Sequence, residues 1–165
     1  MSEEWPITEE GTLVIRQKAA YDLKAIHNLL YKFAKDYQYV FQEKNFTEKI
    51  KSDGKEFEFE WTFERKVTDF IKFNINVFAW SIRTNDVIKD KKKLQQGELE
   101  IMFDATMEMD YDKKWEVNSF LKSLRKFYIY YLKKQYFLNY AGKLWKEVYT
   151  LHNDVKEILN QYRIF

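Results

Sequence analysis

Residues 57–109 read FEFEWTFERKVTDFIKFNINVFAWSIRTNDVIKDKKKLQQGELEIMFDATMEM, and apolar side chains return at nearly every second position. Successive side chains of an extended chain point to opposite faces. Phe57, Phe59, Trp61 and Phe63 therefore share one face, with Glu56, Glu58, Glu60 and Glu64 on the other. This alternation predicts an antiparallel strand with one face in the core and one in water. The next strand repeats it, with Val67, Ile71, Phe73, Ile75, Val77 and Ala79 inward and Lys72, Asn74 and Asn76 outward. Phe70, Phe78 and Trp80 break its polar side, which predicts that part of the outer face is covered. A third strand sets Leu99, Ile101, Phe103, Ala105, Met107 and Met109 against Glu98, Glu100, Asp104, Glu108 and Asp110.

Working outward, residues 11–17 predict a short strand around Leu13, Val14 and Ile15. Residues 20–36 predict a helix, with Leu23, Ile26, Leu30, Phe33 and Tyr37 at helical spacing. Residues 38–49 return to an extended pattern, and Asp53-Gly54 suits a tight hairpin turn. Asn85-Asp86 and residues 90–97 mark two further turns, with a short lysine-rich strand between them guarding a sheet edge.

From Asn118 or Ser119, either a suitable N-cap, the apolar period becomes 3.6, through Phe120, Leu124, Phe127, Tyr131, Leu138, Ala141, Trp145, Val148, Val155 and Leu159. Run unbroken to Tyr162, such a helix would be about 65 Å long at 1.5 Å per residue, too long for a compact domain of this size. A bend or break is expected within residues 133–142. Beyond it, Leu144, Trp145, Val148, Leu151, Val155, Ile158 and Leu159 form one face, opposite Lys146, Thr150, Asn153, Glu157 and Gln161. That half should lie on the sheet.

The predicted fold is a single α+β domain over residues 1–165: an antiparallel sheet of five or six strands packed by a long, bent C-terminal helix, with one N-terminal helix after a first short strand. This order of elements resembles the helix-grip fold of START and Bet v 1-like proteins, in which a curved sheet wraps the last helix around an apolar cavity. The chain has one early helix where that superfamily usually has two. The segments GKEFEFEWTFERKVTDFIKFNINV (54–77) and WEVNSFLKSLRKFYIYYL (115–132) resemble a group of short archaeal proteins of unassigned function. That resemblance implies no activity.

Composition narrows the function. The absence of cysteine removes disulfides and thiolate chemistry and suits a reducing compartment. The acidic start with Trp5-Pro6 does not read as a signal peptide, and no segment stays uncharged long enough to span a bilayer. The expected location is cytoplasmic, with any membrane contact peripheral. One proline and four glycines leave no room for a flexible linker or a Gly-rich phosphate loop. His27 and His152 lie far apart on predicted helices, so no metal site is expected. His152, on the apolar stripe, is expected to be buried. Glu56, Glu58, Glu60 and Glu98, Glu100, Asp104 could converge on a divalent cation were their strands neighbours, but a solvated acidic face is the simpler reading. No nucleophile motif or cofactor signature is present, and the chain is not expected to be an enzyme.

Charge is segregated along the chain. Residues 97–112 carry Glu98, Glu100, Asp104, Glu108, Asp110 and Asp112 with no Lys or Arg. Residues 113–146 carry Lys113, Lys114, Lys122, Arg125, Lys126, Lys133, Lys134, Lys143 and Lys146 against Glu116 alone. On a helical wheel Lys122, Arg125, Lys126 and Lys133 cluster, with Ile129 and Tyr136 inside the basic stripe. A helix this apolar and basic fits a core element whose lysines snorkel, an interfacial helix on an anionic membrane, or a nucleic-acid surface; a partner helix or second copy would also cover its aromatics. The leading reading is a non-catalytic interaction module of unknown partner, with an anionic membrane surface or self-association as candidates and nucleic acid behind them. The alternative is a carrier or enzyme with an apolar pocket floored by Trp61, Phe63, Phe73 and Phe103 and closed by Trp145 and Val148.

Overall fold

The computed structural model describes residues 2–9 and 11–160. Its strands are β1 (Glu3–Pro6), β2 (Val14–Tyr21), β3 (Val40–Lys51), β4 (Gly54–Lys66), β5 (Ile71–Lys89) and β6 (Lys92–Met109). Its helices are α1 (Leu23–Asp36), α2 (Ser119–Phe127) and α3 (Lys134–Asn160), with a π-helical turn (Tyr128–Leu132) joining α2 to α3. The strands form one antiparallel sheet in the order β1-β6-β5-β4-β3, and β2 pairs with the same edge of β6 as β1, further along. The α+β class is as the periodicity predicts, and an antiparallel sheet with a long C-terminal helix is compatible with the helix-grip arrangement.

The alternation rule holds where it was read. Trp61 and Phe63 on β4, Ile71, Phe73, Ile75, Val77 and Ala79 on β5, and Leu99, Ile101, Phe103, Ala105, Met107 and Met109 on β6 are all buried on one face, the inner face. Against them pack Ile26, Leu30, Phe33 and Ala34 of α1 and Leu144, Val148, Leu151, Val155 and Leu159 of α3. Phe59 is partly buried, because the exposed edge strand β3 covers it only with Phe46. Full burial of a Leu or Phe side chain contributes roughly 1.5–3 kcal/mol, so this cluster dominates stability.

Several boundaries differ from the sequence reading, each for a physical reason. Asp22 caps α1 through its side chain, receiving the Ala25 N–H at 3.0 Å, so the helix starts at Leu23 and the preceding strand runs on to Tyr21. The β3–β4 hairpin closes through Ser52-Asp53, with Lys51 opposite Gly54. Asn85-Asp86 is not a turn, and among the described residues no separate lysine-rich strand is present. Instead β5 continues through a bulge in which Arg83 has φ 51° and pairing with β6 slips by one residue. The bulge is held between two glycines: a Cβ on Gly54 would lie 2.9 Å from the Arg83 carbonyl carbon, and one on Gly97 would lie 2.8 Å from the Ile82 carbonyl oxygen. The chain turns only at Asp90-Lys91, both with positive φ as a primed two-residue hairpin requires. β1 carries no alternation signal of its own; it is an edge strand ending in a proline, where the missing N–H is tolerated.

The helix break falls at Lys133, the first residue of the expected window, whose φ of −123° leaves the helical region. Gln161 and the expected helix end at Tyr162 lie outside the described residues. Phe78 and Trp80 remain exposed on the outer face, so among the described residues the expected cover is missing there, whereas Phe70 is partly buried against Trp115, Tyr128 and Phe137.

Candidate interaction surfaces

Two surfaces stand out, and the first begins at Asn118. Its side chain receives the Leu121 N–H at 2.9 Å, capping α2 and fixing where the helix starts. What fixes its rotation is Asp110, a carboxylate buried at the end of β6. Arg125 reaches it at 2.9 Å, lies 3.5 Å from Glu116 and approaches Glu3 at 3.9 Å. A buried carboxylate without a cation would be very costly, so the Arg125 side of α2 must face inward. One turn on, Ile129 is fully buried. Arg125 and Ile129 therefore do not belong to the anionic-binding face expected from the sequence: they are the anchor that holds it.

Of that expected face, Lys122, Lys126, Lys133 and Tyr136 are exposed. Those three lysines form no ion pair among the described residues. With Arg125 and Ile129 turned in, a second row faces water: Phe120 (73% exposed), Leu124, Phe127 and Tyr131 (77% exposed). Their spacing of three and four residues puts them on one side of the helix, and the Phe127 and Tyr131 rings stack 5.4 Å apart. Beneath this segment lies a secondary aromatic cluster. Tyr128 stacks on Trp115 and meets Phe70 and Phe137 edge-on, and Tyr130 donates to Glu3 at 2.8 Å while accepting from Trp5 Nε1 at 3.2 Å. The acceptor Glu3 and burial push the Tyr130 phenol pKa up, so it stays a donor across the physiological range. The π-helical turn lets this cluster close while the chain changes direction into α3.

The second surface is the outer face of the sheet. Strand register sets Glu58, Trp80, Glu100 and Arg16 in one row across four strands, and Glu60, Phe78, Met102 and Val14 in the next. Trp80 (45% exposed), Phe78 and Met102 line a cleft of about 350 Å³ bordered by Asn45, Glu58 and Glu60. Arg16 neutralises Glu100 at 2.6 Å, while Glu58 and Glu60 form no ion pair among the described residues. The carboxylates of β4 and β6 are separated by β5, so they do not converge as a cation site would require. Among the described residues no cluster of three His, Asp or Glu side chains could hold a metal.

The expected pocket residues have a different fate. Trp61, Phe63, Phe73, Phe103 and Val148 are packed together in the core. Trp145 is 39% exposed and tilts against Tyr149 on the solvent flank of α3, so it does not close a cavity. Its place on the apolar stripe was real, but α3 meets the sheet along the narrower ridge of Leu144, Val148, Leu151 and Val155.

Polar groups within or beside the core went unread in the sequence. Arg65 donates to both Glu147 oxygens at 2.9 and 3.0 Å and to the Tyr37 carbonyl, and the Tyr39 hydroxyl donates to the same Glu147. Burial, reinforced by Glu147, raises the Tyr39 pKa far above the ordinary phenol value, so it is always the donor. Glu147 sits on the apolar side of α3 between Leu144 and Leu151, and that misplaced charge was the available signal. His27 and the Trp61 indole both meet Glu43, at 2.7 and 3.1 Å. His152 is half-buried, its ring edge-on to Phe103, rather than enclosed. These groups tie elements together.

The chain matches no family model, no curated protein and no solved structure. No described helix is long and apolar enough to cross a membrane.

Proposed function

We propose that the protein is a non-catalytic interaction module that docks on anionic membrane surfaces through the outward side of α2 and the π-helical turn. The observation that carries this reading is the exposed apolar row Phe120, Leu124, Phe127 and Tyr131 along α2 and the π-helical turn, with Lys122 and Lys126 exposed on the other flank of α2 and Lys133 just past the turn. Aromatic and aliphatic side chains enter the boundary between headgroups and acyl chains, and lysines meet lipid phosphates and carboxylates. Arg125 supports the surface from within, because it neutralises Asp110 and lies against Glu116. The reading makes the protein peripheral, on the cytoplasmic leaflet where anionic lipid concentrates. Kinship with the short archaeal proteins of unassigned function, and with helix-grip proteins beyond shared element order, belongs to the same proposal and adds no activity.

Flotation with vesicles of phosphatidylcholine alone or with phosphatidylserine tests it. Binding should require the anionic lipid and weaken steeply with salt, since the screening length is about 10 Å at 0.1 M. Each lysine near the surface contributes about 1 kcal/mol, so K122Q/K126Q/K133Q should weaken binding on the order of 100-fold. Equal binding to neutral vesicles, or no binding to anionic ones at low salt, overturns the reading. Retention of single-stranded DNA in place of vesicles would move these lysines to phosphate-backbone binding.

A further inference from the structure

We propose that the cleft beside Trp80 on the outer face of the sheet binds a linear diamine, one ammonium group on Glu58, the other on Glu60, and the methylene chain against Trp80 and Phe78. On β6 the glutamates of this face have cations of their own chain: Glu98 pairs with Lys18 and Arg83, Glu100 with Arg16 and Glu108 with Lys72. Glu58 and Glu60 form no ion pair among the described residues. Strand register is the reason. Glu58 stands between Thr47 and Trp80, and Glu60 between Asn45 and Phe78, so neither has a basic residue directly opposite on either adjoining strand. Two uncompensated carboxylates thus border the cleft where its aromatics are exposed.

The dimensions set the length of the ligand. Glu58 and Glu60 lie two residues apart on one face of β4, about 7 Å at 3.4 Å per residue. Two ammonium groups joined by four methylenes stand about 6 Å apart when extended, with bonds of about 1.5 Å. On the next strand Trp80 and Phe78 repeat the same spacing, and Met102 borders the far side of the cleft. Neither ring packs on another described aromatic, so both are open to a ligand, and about 350 Å³ has room for such a chain.

Chemistry selects the class. A divalent metal ion takes oxygen ligands and gives up its water reluctantly, and Trp80, Phe78 and Met102 offer it no oxygen from their side chains. A neutral apolar ligand would strip water from both carboxylates and leave them without a partner. An ammonium gains from a carboxylate and from an aromatic ring at once, with Trp the best ring for the purpose. A single ammonium serves one glutamate, whereas two joined by methylenes serve both and cover the apolar floor between them. Exposed ion pairs and ring–cation contacts are individually weak, so the affinity expected is millimolar.

The cleft shares no residue with α2, so the outcome of its test leaves the lipid reading untouched. Titrating the ¹⁵N-labelled full chain with 1,4-diaminobutane, without lipid and at low salt, should shift the amide signals of residues around Glu58, Glu60, Phe78 and Trp80 to saturation in the millimolar range. Added salt should weaken the binding. 1-Aminobutane keeps the alkyl body and loses one charge, and should bind about tenfold more weakly. E58Q/E60Q, which keeps size and strand pairing, should also lose about tenfold, and Trp80→Ala several-fold, with melting temperatures checked against the unmodified chain. Three results overturn the proposal: no saturable shift at these residues, 1-aminobutane binding as tightly as the diamine, or E58Q/E60Q binding it as tightly as the unmodified chain.

Discussion

α2 and α3 come from one continuous apolar, lysine-bearing stretch, yet they are buried to very different degrees. α3 sets Leu144, Val148, Leu151, Val155 and Leu159 on the inner face of the sheet, and all five are buried. α2 buries Arg125 and rests beside Ile129, while Phe120, Leu124, Phe127 and Tyr131 look outward. An apolar stripe records that a surface prefers to leave water; it does not say what covers it. On α3 the cover is this chain's own sheet, and on the outward side of α2 the described residues supply none.

That difference predicts unequal costs for equal truncations. Leu151→Ala removes a side chain from a filled core and should cost about 2–5 kcal/mol, whereas Phe120→Ala should stay within about 0.5 kcal/mol. Urea denaturation of both variants checks the pair. Comparable losses would mean that α2 belongs to the folding core.

A loss of the same size is expected at the anchor. Arg125→Leu would leave Asp110 buried without its cation, and breaking a buried pair from one side costs about 3–5 kcal/mol. D110N/R125L, with the charge removed from both sides, should recover part of that loss. A single variant as stable as the unmodified chain would show that something other than Asp110 sets the rotation of α2.

Smaller still is a pH effect on the outer face of the sheet. Burial alone would raise the Glu108 pKa, but hydrogen bonds from Lys72, Ser2 and Asn74 outweigh it and hold the carboxyl below the ordinary glutamate value. A depressed folded pKa contributes stability that is fully present above the unfolded value of about 4.3 and is lost as pH falls through the folded value. The melting-temperature gap between the unmodified chain and E108Q should therefore be constant near neutrality and close below about pH 4. A gap that widens on acidification would contradict the assignment.

The fold was readable wherever one residue's environment depended on its strand or helix neighbours alone. Alternation over 57–109 put Trp61, Phe73, Ile101 and Met107 inside, and Asn118 announced the start of α2. The failures share a non-local cause. Asn85-Asp86 has turn chemistry, yet the strand continues because Gly54 and Gly97, one on each neighbouring strand, make room for a bulge at Arg83. A helical wheel grouped Arg125 with Lys122 and Lys126, but Asp110, fifteen residues earlier, turns Arg125 inward and with it the whole segment. The row that results from that rotation, Phe120 to Tyr131, was visible as apolar spacing and invisible as a surface.

The outward side of α2 is therefore claimed as a contact surface that folding does not need. F120S/Y131S tests both halves of that claim when one preparation is measured by thermal melting and by flotation with phosphatidylserine vesicles. The expected result is an unchanged melting temperature with vesicle binding reduced at least tenfold. A lowered melting temperature, or binding equal to that of the unmodified chain, would contradict it.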